Sequence, residues 1–235
     1  MNILQRLRER FRFGIVAPLF ANRYHAHYLS HAQFGEDMIA RHLLAGVPRG
    51  FYVDIGAHHP VYSSNTAHFY KRGWRGINID AVPGSMEIFR LLRPRDINLE
   101  ACIDTEPGRQ RQFIIFDQPA LNTLCPEQAQ RAVAAGQGTV VDRKLLTTTT
   151  INELLQQHLP AQTRIDLLSI DIEGLDEPVL RTLEWDHYRP RVIILERRLD
   201  DPLSPGSDPL LQFLAQRGYG LSGLSGMSVI MQEQA

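Results

Sequence analysis

Two carboxylates and a glycine at the ends of apolar runs are the residues best suited to chemistry in this 235-residue sequence. The run Phe51-Tyr52-Val53-Asp54-Ile55-Gly56 closes on Asp-x-Gly, and the run Ile77-Asn78-Ile79 closes on Asp80, 26 residues beyond Asp54. In open α/β sheets ligands bind beyond the carboxyl ends of the strands. An acid ending the second strand is placed to accept from both hydroxyls of a ribose, and a glycine lets a ligand approach the first turn closely. The pattern suits a nucleoside cofactor. A dinucleotide site also wants Gly-x-Gly-x-x-Gly, so that backbone can touch a pyrophosphate, but here Gly56 is followed by Ala57-His58-His59-Pro60-Val61. NAD is therefore disfavoured. S-adenosylmethionine, which carries ribose without pyrophosphate, fits better. The expected cofactor contacts are Asp54, Gly56 and Ala57 in the first turn and Asp80 and Ala81 in the second.

A second pair of acids follows a later buried run, Asp166-Leu167-Leu168-Ser169-Ile170, which ends on Asp171-Ile172-Glu173-Gly174. In extended chain, residues two apart share a side, so Asp171 and Glu173 can act together. Methyl transfer is an in-line displacement at an already activated carbon, and the protein's task is to align the acceptor and remove its proton. A hydroxyl needs a carboxylate, an imidazole or a metal ion for that step. Asp171 and Glu173 suit a base and its orienting group. They would also suit two ligands of a divalent ion such as magnesium, but no third ligand is evident and no metal site is assigned. His58, just past the first strand, is the other candidate base. Structural readings stand beside these: turn formation for Asp54 and Gly56, a cap or an arginine pair for Asp171 and Glu173, and an exposed turn for His58.

These stretches resemble a known family. Val53-Asp54-Ile55-Gly56-Ala57 with Ser63-Ser64-Asn65-Thr66, Gly73-Trp74-Arg75-Gly76-Ile77-Asn78-Ile79-Asp80, and Ile165-Asp166-Leu167-Leu168-Ser169-Ile170-Asp171-Ile172-Glu173-Gly174 are similar to the FkbM-type S-adenosylmethionine-dependent methyltransferases. Gln33-Phe34-Gly35-Glu36-Asp37, Arg189-Pro190 and Glu196 match as well. The resemblance implies a Rossmann-like class I methyltransferase fold. It also implies methylation of a sugar hydroxyl, such as a deoxysugar of a glycolipid, oligosaccharide or surface polysaccharide. It puts Cys102 and Ile103 beside the adenine and gives Glu36 a part in closing the cofactor pocket. His58 and Pro60 depart from the family's usual Asn and Gly in the first turn.

The elements that must position these residues alternate between strand and helix, which predicts an α/β protein with a mostly parallel central sheet and helices on both faces. Helices are expected over 33–44, 63–72, 84–92 and 209–216, and strands at 97–103, 112–116, 192–196 and 228–231. Thr150-x-x-Glu153 reads as a capping box before a helix near Ile151, and Pro178 as the start of another, capped by Asp176 or Glu177. Residues 117–148 read as polar and irregular, and are the candidate acceptor loop or lid. The first thirty residues carry five arginines and space Ile3, Leu4, Leu7 and Phe11 as an amphipathic helix. This gives an N-terminal segment over 1–32, with peripheral membrane contact through residues 1–20 as its functional reading, and a methyltransferase domain over 33–235.

Composition narrows the remaining choices. With 25 Lys+Arg against 26 Asp+Glu, the whole surface has no general attraction for nucleic acid, which is not expected as a partner. Two cysteines in no paired spacing give neither a disulfide framework nor a zinc site and suit a cytoplasmic protein. The expected partner is a small-molecule or glycan acceptor. A non-catalytic binding module and a nicotinamide oxidoreductase are the alternatives.

Overall fold

Short apolar runs rich in Val, Ile, Leu and Phe become the central strands of the computed structural model, which describes residues 29–199, 201–202 and 204–234. The basic segment expected to form an amphipathic helix and to touch membranes falls almost entirely outside them. In chain order the elements begin with α1 (Glu36–Leu43), β1 (Phe51–Ile55), α2 (Ala67–Lys71), β2 (Arg75–Asp80), α3 (Met86–Leu92) and β3 (Ile97–Glu100). Then come β4 (Cys102–Ile103), β5 (Gln110–Phe116), α4 (Pro126–Ala134), β6 (Val140–Thr149) and α5 (Ile151–His158). The chain closes with β7 (Leu167–Ile170), α6 (Asp176–Thr182), β8 (Val192–Glu196), α7 (Pro209–Ala215), β9 (Tyr219–Ser225) and β10 (Ser228–Glu233). Among the described residues no helix is long and apolar enough to cross a membrane.

The main sheet has seven strands in the order β3-β2-β1-β7-β8-β10-β9. All neighbours from β3 to β8 pair in parallel, and β10 runs antiparallel to both β8 and β9. The order reverses between β1 and β7, which opens a crevice at their carboxyl ends. Strands buried on both faces supply the core: Val53, Ile55, Ile77, Leu168, Ile193 and Leu195 pack in one cluster, while Tyr52, Phe69, Trp74, Leu167 and Ile194 pack in another on α1 and α2. The capping box before α5 is present, with Glu153 N–H donating to Thr150 Oγ1 and Thr150 N–H to Glu153 Oε2.

The structure corrects three sequence expectations. The strand expected over 97–103 breaks at Ala101, because β3 continues the main sheet while β4 turns to pair with β6. Residues 117–148 are not irregular: a 3-10 turn at Pro119–Leu121, helix α4 and most of β6 join β5 and β4 in a second, three-stranded sheet. β5 buries Phe113 against Cys102 and Leu124, and Ile114 and Phe116 against Ala129 and Ala132 of α4. Asp176 does not cap α6 from outside but lies in its first turn, where its carboxylate accepts from Ile172 N–H and Gly174 N–H in the preceding loop.

Candidate functional site

Strand register builds the site. Ile55 pairs with Ile79 on one side and with Ile170 on the other, and Ile170 in turn pairs with Leu195. One residue further along, Asp80, Gly56, Asp171 and Glu196 therefore stand side by side across four adjacent strand ends. A cleft of about 470 Å³ opens above this row and is lined by all four. That volume lies within the ~300–1,000 Å³ range of small-molecule sites. The far wall comes from the inserted sheet and its turn, including Phe113 and residues 119–124.

Gly56 holds the middle of the row together. Asp171 N–H donates to Ile55 O at 3.0 Å, and Gly56 has φ +76°, so a Cβ at Gly56 would sit 1.7 Å from the Asp171 carbonyl oxygen. The glycine is required by the approach of two protein strands, in addition to any ligand.

Asp80 closes one end. Its carboxylate accepts from His58 N–H at 2.9 Å and Val82 N–H at 2.8 Å, bonds that steady the first turn and leave lone pairs for a ligand. Burial holds the carboxyl above its ordinary value against those two bonds.

At the other end three carboxylates gather. Asp171, Glu173 and Glu196 each present an oxygen, and all three lie within 4.8 Å of one another. Carboxylates this close cannot all ionise freely. Asp171 is open to solvent on the cleft side, yet the protein packed behind it and three like charges, Glu196 foremost, hold its carboxyl well above the usual range. Burial and Glu196 lift Glu173 to about 7, opposed by Gln128, whose Nε2 donates to Glu173 Oε2 at 3.2 Å. Burial raises Asp176, behind them, to about 6 despite its two backbone bonds. Glu173 also takes φ +49°, a strained value for a residue with a side chain. Thr123 Oγ1 donates to its carbonyl at 2.8 Å, so the inserted segment grips this loop twice.

These elevated values make stability fall with rising pH. Between the unfolded carboxyl values, ~4, and about 7, the native cluster binds protons that the unfolded chain has released. Glu173→Gln should therefore gain stability relative to the parent chain from pH 5 to pH 8 in urea unfolding. An unchanged difference would rule the effect out.

The family follows from a match to the whole site region. The model of the FkbM methyltransferase domain matches residues 54–221, which include every strand-end residue of the row. The chain belongs to the FkbM methyltransferase family. It is an S-adenosylmethionine-dependent methyltransferase, and the nicotinamide and non-catalytic alternatives fall away. No curated protein matches it. Solved structures are similar at low identity, among them two methyltransferases. The 1,6-didemethyltoxoflavin-N1-methyltransferase of Burkholderia thailandensis, with bound 1,6-didemethyltoxoflavin and S-adenosylhomocysteine, is 12% identical, with 100% of this chain and 92% of that chain covered and a TM-score of 0.42. An O-methyltransferase of Bacillus cereus in complex with S-adenosylhomocysteine is 14% identical, with 94% of each chain covered and a TM-score of 0.42.

In this FkbM methyltransferase the expected residues divide. Gly56, His58, Asp80, Ala81, Ile103, Asp171 and Glu173 all line the cleft. Asp54, Ala57, Cys102 and Glu36 do not line it. The Asp54 carboxylate is buried and accepts from Thr66 Oγ1 at 2.5 Å, bracing the 58–66 loop, which buried Arg93 also holds through Pro60 O, Ser64 Oγ and Thr66 Oγ1. Ala57 packs on Met86 and Phe89. Cys102 turns into the inserted sheet, where burial pushes its thiol up to about 11. Glu36 borders only an annex beside Asp171 and Glu196, with its oxygens engaged by Phe34 N–H and Ser228 Oγ. His58 is tied to Asp80 through its backbone, and the acid–base groups gather instead at the three carboxylates.

Glu196 is the site residue that sequence reading left unassigned, although it ends β8 just as Asp171 follows β7. Phe113 gave no signal, because its place on the cleft depends on how the inserted sheet pairs, whereas residues 119–124 lie within the 117–148 segment expected as the acceptor loop or lid and do line the cleft. Glu196 also supplies the third oxygen that the sequence did not reveal. The donor set suits S-adenosylmethionine itself: an acid for ribose hydroxyls, an apolar wall from Ile103 and Phe113, and, among the described residues, no lysine or arginine on the lining for a pyrophosphate.

Proposed function

We propose that this enzyme methylates a hydroxyl group of a sugar, in a glycolipid, an oligosaccharide or a surface polysaccharide. The observation that carries the reading is the trio Asp171, Glu173 and Glu196 beside Gly56 at one end of the cleft, in which Asp171 and Glu173 have raised proton affinity. S-adenosylmethionine, when bound, supplies an electrophilic methyl group. Asp80 accepts from its ribose hydroxyls, and Ile103 with Phe113 covers its adenine. Asp171 takes the proton of the acceptor hydroxyl, while burial and the like charges of Glu196, Asp176 and Glu173 raise its basicity. A base matched to the working pH is the most effective one. The inserted segment over 117–148, which grips the Glu173 loop, forms the wall over the acceptor.

The test combines calorimetry and product analysis. S-adenosylmethionine and S-adenosylhomocysteine should bind and NAD should not. Simple glycosides should gain one methyl group by mass spectrometry, on oxygen. Asp80→Ala should weaken S-adenosylmethionine binding about thirtyfold or more, since hydrogen bonds to a charged group contribute ~1.5–3 kcal/mol. Unchanged affinity in that variant would remove Asp80 from the cofactor site, and methylation only of amines would remove the hydroxyl assignment.

A further inference from the structure

The segment Gln33-Phe34-Gly35-Glu36, matched to the family in sequence but unused in the roles above, forms one side of the acceptor end. Glu36 is 2% exposed and accepts from Phe34 N–H at 2.8 Å and from Ser228 Oγ at 3.0 Å. Ser225 Oγ donates to the Phe34 carbonyl at 2.5 Å. The Phe34 backbone is thus fixed at both its amide and its carbonyl. Its ring rests on Gly226, where a Cβ would come within 2.3 Å of it, yet the residue remains 47% exposed. Both Phe34 and Met227, another exposed apolar residue, line the annex that also holds Asp171, Glu196, Ser63 and Asn65. Among the described residues, no lysine or arginine lines the annex or the main cleft.

A pyranose ring has an apolar face of C–H groups and a rim of hydroxyls. A fixed aromatic ring beside carboxylates complements both parts, one by contact and the other by charge-assisted hydrogen bonds. An anionic sugar would meet Asp171, Glu196 and Glu36 with no lysine or arginine among the described lining residues to offset them. We infer that Phe34 is the platform on which an uncharged pyranose of the acceptor stacks, with its hydroxyls turned toward Asp171 and Glu196. This rests on the sugar-hydroxyl reading above and adds the recognition element and the charge class. Glu36 is a positioning residue in this scheme, because it presents Phe34.

The experiment uses the full chain, S-adenosylmethionine, and three probes: methyl α-rhamnopyranoside, methyl α-mannopyranoside and methyl α-glucopyranosiduronic acid. Phe34→Ala should raise KM for a neutral glycoside about tenfold, the size of one aromatic contact. It should leave kcat and S-adenosylmethionine affinity little changed, and Phe34→Tyr should restore KM. The uronic acid should be the poorer acceptor by at least about tenfold. Should Phe34→Ala fail to fold, Phe34→Leu keeps the packing on Gly226 without an aromatic face and should show the same rise. Unchanged KM in these variants, or equal use of the uronic acid, overturns the inference and leaves the sugar reading standing. A parent enzyme that binds S-adenosylmethionine and methylates no glycoside overturns the sugar reading, and the platform with it.

Discussion

Gly56→Ala should unfold this enzyme at a temperature lower by about 10 °C or more, and should remove activity even where folded protein remains. Two costs combine. A side chain at φ +76° carries ~1–2 kcal/mol of backbone strain. The larger cost is the overlap, because the new Cβ would lie 1.7 Å from the Asp171 carbonyl oxygen and 2.8 Å from its carbon. Backbone atoms at a parallel strand end cannot swing aside as a flexible side chain can. Either the Asp171 N–H···O bond to Ile55 opens or the first turn moves off Ile79, to which Gly56 N–H and Ala57 N–H both donate. A combined loss of about 4 kcal/mol is in the range of severe single substitutions and corresponds to ~2–4 °C per kcal/mol in a chain of this size. Thermal unfolding followed by circular dichroism measures it. A midpoint within a few degrees of the parent would mean that the strand ends are looser than the register indicates.

The same register explains why some of the site was legible in the sequence and some was not. Asp80 and Asp171 end buried parallel runs, and such ends can be read directly because both faces of the strand are apolar. Asp54 has the same sequence signature and the opposite role. It lies within β1, on the same face as Asp80 and Asp171 but two residues short of the strand-end row, so its carboxylate lies beneath the row, where Thr66 of the 58–66 loop covers it. Depth below the strand end, and not the face, distinguishes the two positions once the strand's last residue is known.

The inserted sheet was hidden for a different reason. Most of β6 is exposed along its length and shows no buried alternation, so its strand character arises from pairing with β5 and not from its own composition. β9, the other strand missed, contains two glycines and two serines among seven residues and no β-branched residue, and it exists as an edge paired to β10. Long-range pairing also brought residues 119–124 onto the cleft and Gln128 onto Glu173. Glu196 differs from these, for its position at the end of β8 was written in the chain. Only the adjacency of β7 and β8, a matter of strand order, makes it a partner of Asp171.

Asp171→Asn should lower kcat about a thousandfold, within the ~10²–10⁴ attributed to a positioned acid or base, with S-adenosylmethionine affinity unchanged. The pH dependence makes the assignment specific. A base must be ionised to accept a proton, so kcat in the parent enzyme should rise with pH as Asp171, held up by burial and like charges, and Glu173, lifted to about 7, lose their protons. Asp171 and Glu173 act on one another, so the rising limb belongs to the pair and not to one member. Glu196 is the foremost of the like charges acting on Asp171. Glu196→Gln removes that repulsion, and the limb should move to lower pH. The plateau should fall as well, because a base that ionises more readily accepts a proton less strongly. A shift to higher pH would contradict the electrostatic argument. The profile should also be the same with a chelator as with added magnesium, since the carboxylates themselves receive the proton. Loss of turnover on chelation, restored by magnesium, would reassign the trio from proton acceptor to cation ligands, and with it the role of Asp171.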